Sequence, residues 1–213
     1  MNASVTWEAG ALEVQRFRKT GQIVSLSEWN PLDYSWSQGS EGCHVGLMNY
    51  AFQYILNNGD LDSEESYPYR PGDRPCTYRP GHPAASATGP VSMPPQEESL
   101  VLVVAAVGPV PAALRASLDT FRFYFLGIYC APNRSSEELN HGVLLFVYGS
   151  EGEESGNQNY WIIKNSWGTD WGTQGSMLMA KALDNQCRMA TVASYVGAFN
   201  QLSTSRNAKW NLC

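Results

Sequence analysis

The stretch Tyr160-Trp161-Ile162-Ile163-Lys164-Asn165-Ser166-Trp167-Gly168-Thr169-Asp170-Trp171-Gly172 decides the fold. It opens as an apolar run of strand type and closes on tryptophan and glycine turns, with an amide, Asn165, at the changeover. Upstream stands a second apolar run, Leu139-Asn140-His141-Gly142-Val143-Leu144-Leu145-Phe146, with a single histidine at its mouth. A histidine and an amide at the ends of neighbouring strands are two parts of a nucleophile–base–orienter triad. The amide oxygen accepts from one ring nitrogen and fixes the tautomer. The other ring nitrogen is then free to face a nucleophile.

Working outward, the rest of the chain reads as a globular protein. Its 213 residues can bury a real core and fit one or two domains. A formal charge of -6 argues against nucleic acid as a partner, since that calls for a basic stripe. The longest apolar run, Leu100 to Val107, is a core segment and too short for a membrane span. Met1 to Val5 has neither the basic nor the apolar region of a signal peptide, so the chain as written is expected in the cytosol.

Trp7 to Thr20 is predicted as a helix with Trp7, Ala11, Val14 and Phe17 on its apolar face and Gly21 after its end. Ser25-Leu26-Ser27-Glu28 is a capping pattern for a second helix, with either serine as the cap and Pro31 close behind. Leu47 to Asn58 predicts a third, apolar at Leu47, Tyr50, Ala51, Tyr54 and Ile55. Asp62 to Pro95, rich in Pro, Gly, Ser and Ala, reads as irregular, and Glu97 to Val107 as one more helix. Beyond Pro109 come strand-like runs at Phe121–Ile128, Val143–Tyr148, Tyr160–Lys164 and Ser176–Ala180, with an acidic, glycine-rich loop at Gly149–Asn159. Short strands between turn clusters point to a small antiparallel barrel.

YWIIKNSWGTDWG (160–172) and LNHGVLL (139–145) resemble the papain family of cysteine proteases. ALEVQRFRKTGQIVSLSE (11–28) and GLMNYAFQYILNNGDLDSEESYPY (46–69) resemble its cathepsin L group in particular. The resemblance runs from about Gly10 to Tyr195. It implies an α+β, papain-like two-domain fold: a helical half over 1–90, shortened at its N-terminus, a β-barrel half over 91–198, and an unrelated polar tail over 199–213. The catalytic roles it implies are general base for His141 and orienting amide for Asn165. Gly46, Met48, Leu139, Asn140 and Trp167 would border the substrate groove, Trp167 also shielding the His–Asn pair.

The same resemblance implies losses. In the family a catalytic cysteine sits at the N-terminal end of the central helix, where the dipole lowers the thiol pKa. Counting back without a gap from Gly10-Ala11-Leu12-Glu13, that position reads Ala3. His141 follows 138 positions later, within the family's spacing of about 130–150 between cysteine and histidine. Ser4 is one position off and reads as a plain N-terminal serine, because a hydroxyl needs a well-aligned base. The glutamine that supplies an oxyanion-hole donor would precede Met1. Val45 stands for a groove glycine, and Arg188 for the glycine after Cys187.

Cathepsin L-like enzymes carry three bridges. Cys43 matches a cysteine whose partner would precede Met1, Cys76 one whose partner position reads Tyr34, and Cys187 one whose partner position reads Arg134; pairing of Cys130 with Cys187 is an alternative. Cys213 lies in the tail. His44 beside Cys43 provides too few ligands for a metal, and no metal or cofactor is expected.

The function this predicts is an inactive cathepsin L-like protein; the family activity would be lysosomal or extracellular cysteine-type proteolysis. The alternative is a pseudoenzyme holding peptides or cystatin-type inhibitors in the old groove.

Overall fold

A computed structural model describes residues 3–30, 61–70, 84–85, 90–94, 96–130, 139–151, 158–181 and 193–196. The chain divides into two compact units, Met1–Val91 with Tyr195–Cys213, and Ser92–Ser194.

In the first unit, helix α1 runs over Ala3–Thr20. Its buried stripe is Trp7, Ala9, Ala11 and Leu12. Phe17, expected on the apolar face, is 46% exposed, and Val14 is half-buried. The stripe ends early because Leu12, fully buried, takes the core position in the third turn. Gly21 closes the helix: its φ is +70°, and its N–H donates to the Phe17 carbonyl at 2.8 Å. Glu13 Oε1 accepts the Leu26 N–H at 2.8 Å and ties the chain after the turn back onto the helix.

The second cap falls on Ser27. Its Oγ accepts the N–H groups of Trp29 (3.2 Å) and Asn30 (3.0 Å), the latter three residues on as an N-cap requires, and donates to the Tyr67 carbonyl at 2.6 Å. Leu26 bridges Ser63 and Leu61 bridges Ala85, so the irregular stretch is pinned by backbone contacts around a buried Leu26 and Leu61. The predicted helix at Leu47–Asn58, Pro31 and the bridge positions Tyr34, Cys43, Cys76, Arg134 and Cys187 lie outside the described residues.

The second unit contains helix α2 (Glu97–Ala106), strand β2 (Val110–Leu114), the one-turn helix α3 (Asp119–Arg122), and strands β3 (Ile128–Tyr129), β4 (His141–Glu151), β5 (Gln158–Lys164) and β6 (Ser176–Ala180). Two short strands, β1 (Pro90–Ser92) and β7 (Ser194–Val196), pair where the chain passes between the units. The main sheet has the order β2-β4-β5-β6-β3. The β2–β4, β4–β5 and β5–β6 pairings are antiparallel; β3 joins β6 in parallel. Along β6 burial alternates, Met177 and Met179 inward, and Trp161 and Ile163 of β5 do the same. With Leu100 and Val104 of α2 and Val143 to Leu145 of β4 they form the core.

Three sequence expectations are corrected. Phe121–Ile128 is not a strand: Asp119–Arg122 is helical and only Ile128–Tyr129 pairs. The cause is Phe121, 1% exposed, which is turned inward by the helical turn onto a cluster of aromatic rings. Strand β2 was not anticipated, because Val-Pro-Ala-Ala-Leu carries a proline and two alanines. Pro111 stands opposite Leu144 in a strand that ends the sheet order, the kind of strand in which proline is found. The loop expected at Gly149–Asn159 is shorter, since Gly149, Ser150 and Glu151 pair with Tyr160, Asn159 and Gln158. Glycine suits this ladder: a Cβ at Gly149 would stand 2.9 Å from the Tyr160 ring, which lies over the bare backbone.

Candidate active site

His141 is the first residue of β4, and Asn165 follows the last residue of β5. The ladder pairs Leu144 with Lys164, so the two side chains meet just past the end of the paired strands. His141 Nε2 and Asn165 Oδ1 are 2.8 Å apart. The Ser166 N–H also donates to Asn165 Oδ1 at 2.8 Å, and the Asn165 N–H donates to the Gly175 carbonyl at 2.8 Å. Because a backbone N–H can only donate, the atom it shares with His141 is the amide oxygen, and Nε2 carries the proton. The basic lone pair of the neutral ring is then on Nδ1. Asn165 is 4% exposed, and its Nδ2 is buried without a hydrogen-bond partner among the described residues.

Neighbouring residues hold this pair. The Asn140 N–H donates to the Leu114 carbonyl at 3.1 Å, and Asn140 Oδ1 accepts the Ala116 N–H at 2.9 Å, strapping the entry of β4 to the chain leaving β2. Leu139 is half-buried and Asn140 exposed. The Trp167 ring lies 5.0 Å from the imidazole, tilted by 42°, and is 40% exposed. Phe121 meets the imidazole at 6.3 Å and Trp167 edge-on at 5.5 Å. Burial pushes the His141 pKa below its ordinary 6.5, while the Asn165 bond pulls it the other way and does not win.

Of the site residues read from the sequence, the structure brings together His141, Asn165 and Trp167, while Leu139 and Asn140 directly precede His141 in the chain. Gly46 and Met48 lie outside the described residues. Ala3 opens α1 in the other unit. Phe121 is a further neighbour of the site that the sequence does not single out, because its contacts are with rings 20 to 50 positions away. Among the described residues no group of three or more His, Cys, Asp and Glu side chains is placed to hold a metal ion, and no helix is long and apolar enough to cross a membrane.

Two ends of adjacent strands presenting a bonded imidazole and amide, on a mixed sheet backed by a helix, match a known architecture. The model of the papain family cysteine proteases matches residues 6–197, and this chain belongs to that family. Within it the similarity is to cathepsin L. Procathepsin L of Felis catus is 55% identical over 186 residues, covering 87% of this chain and 56% of that protein. Procathepsin L of Mus musculus is 52% identical over 187 residues, covering 88% and 56%. The solved structure of digestive procathepsin L 3 from Tenebrio molitor larval midgut superposes with a TM-score of 0.82 at 36% identity, over 91% of this chain and 63% of that one. The chain thus spans little more than half the length of the curated relatives it matches.

Proposed function

We propose that this chain is a cathepsin L-like protein without peptidase activity, in which the general base and its orienting amide persist and the nucleophile does not. The observation that carries the reading is Ala3, the residue that stands at the family's cysteine position by gapless count from Gly10-Ala11-Leu12-Glu13 and the first residue of α1. A methyl group cannot form an acyl-enzyme. His141, with Nδ1 unprotonated and Nε2 bonded to Asn165, would still be poised to take a proton, yet has no thiol to take it from. Removing the nucleophile from such a triad costs roughly 10⁶-fold in kcat, the residue being what binding and oxyanion donors supply.

A fluorogenic Phe-Arg peptide tests this. Hydrolysis by the purified chain is expected to equal the buffer rate at pH 5.5 and at pH 7. Steady turnover that disappears in His141→Ala would overturn the proposal.

A further inference from the structure

We propose that the apolar tip formed by Phe123, Phe125 and Leu126 docks on the surface of a lipid bilayer, entering the headgroup boundary of a zwitterionic membrane. The three side chains follow α3 within four positions and are 79%, 69% and 69% exposed. A single apolar residue on a surface is ordinary, but three large ones side by side mark a contact. They face outward because their neighbours are held inward. Phe121 and Tyr124 are buried. The Trp171 indole N–H donates to the Arg122 carbonyl at 3.1 Å, and the Phe123 N–H donates to the Asp119 carbonyl at 2.9 Å. Tyr124 Oη donates to the Gly127 carbonyl at 2.7 Å and accepts the Leu178 N–H of β6 at 3.2 Å. Gly127 turns the chain back at a φ of +84°. Turning the three side chains inward would break this bracket. A tip already fixed in place also loses little freedom on binding.

Size and charge select what covers the tip. Two phenylalanines and a leucine at these exposures present about 400 Å² of apolar surface, half of the about 800 Å² that each partner buries in a stable protein interface. A bilayer sets no such threshold, because binding there scales with the apolar area inserted. From Phe123 to Asn133 the sequence has no Asp, Glu, Lys or Arg, in a chain of which 16% is charged. The nearest described charges in the sequence, Asp119 and Arg122, pair with one another at 3.8 Å and leave the rim neutral. With a formal charge of -6 the whole chain is not drawn to anionic lipid, so the contact is apolar and suits zwitterionic headgroups. Tyr129 packs edge-on against Tyr124 and shares a 3.0 Å hydrogen bond with Thr120 Oγ1. Its apolar ring and polar end suit the headgroup level. No described helix is long and apolar enough to cross a membrane, so the association proposed is peripheral.

Flotation of the purified chain with phosphatidylcholine vesicles tests this. The parent chain is expected to rise with the vesicles, and the double variant Phe125→Ser with Leu126→Glu to lose at least about tenfold in partitioning. Its near-ultraviolet circular dichroism is expected to match the parent's, both positions being exposed. Should the double variant fail to fold, Phe125→Ser alone decides. Leu102→Lys, at an exposed apolar position on α2, is expected to float as the parent does. No flotation of the parent, or equal flotation of a folded tip variant, would overturn the proposal. Binding that appears only with phosphatidylserine and is removed by salt would overturn it in favour of a charge contact. A dimer in sedimentation velocity that the tip variant dissolves would assign the tip to a second copy instead.

Discussion

At His141 two effects oppose each other, and the stronger one makes the site sensitive to acid. Burial disfavours the imidazolium, the Asn165 bond favours it, and the balance leaves the folded pKa below 6.5. The unfolded chain has an ordinary histidine near 6.5. Between the folded and unfolded values the unfolded state binds the proton and the folded state does not, so stability rises with pH across that window. The contribution is complete above about pH 6.5 and is lost as the pH falls toward the folded value. Urea midpoints between pH 5 and 7.5 are therefore expected to drop on acidification, and to drop less in His141→Gln. An equal slope in the two proteins would contradict the assignment. His141 and Asn165 were legible in the sequence because each stands at the end of an apolar run beside a turn. Phe121 was not, because its place beside them comes from contacts with residues 20 to 50 positions away, which no local pattern encodes.

Among the elements, α2 is joined by a side-chain hydrogen bond to β5 of the sheet that carries the pair. Trp161 is fully buried in β5, and its indole N–H donates to Glu97 Oε1 at 2.7 Å. Glu97 sits in the first turn of α2, where its charge also suits the helix dipole. Glu97→Ala strands a buried donor and is expected to destabilise the chain by about 1–3 kcal/mol in urea unfolding, with Glu97→Gln recovering most of the loss. Strands β4, β5 and β6 were legible because each carries an apolar run; burial alternates along β5 and β6, whereas Val143, Leu144 and Leu145 of β4 are buried in succession. α1 was legible from its helical spacing, although its inward stripe proved to be set by Leu12 and not by Phe17. β2 was hidden because Pro111 and two alanines mimic a turn, and only its place at the end of the sheet order makes that composition workable. α3 was hidden because its four residues are helical mainly to bury one ring.

At the scale of the whole molecule, the chain divides into two compact units, with Ala3 on one and the His141–Asn165 pair on the other. The family match extends over residues 6–197, so the fold is inherited broadly, while the proposed loss of activity rests on position 3. That separation is expected physically: a fold rests on many distributed contacts, whereas covalent catalysis rests on one atom. Whether this chain forms an acyl-enzyme is read by intact-mass spectrometry after incubation with an activated peptide ester. The same mass profile is expected for the parent chain and for His141→Ala, with any background acylation of surface groups common to both. A stoichiometric adduct on the parent chain, absent from His141→Ala and mapping near the start of α1, for instance to Ser4, would contradict it.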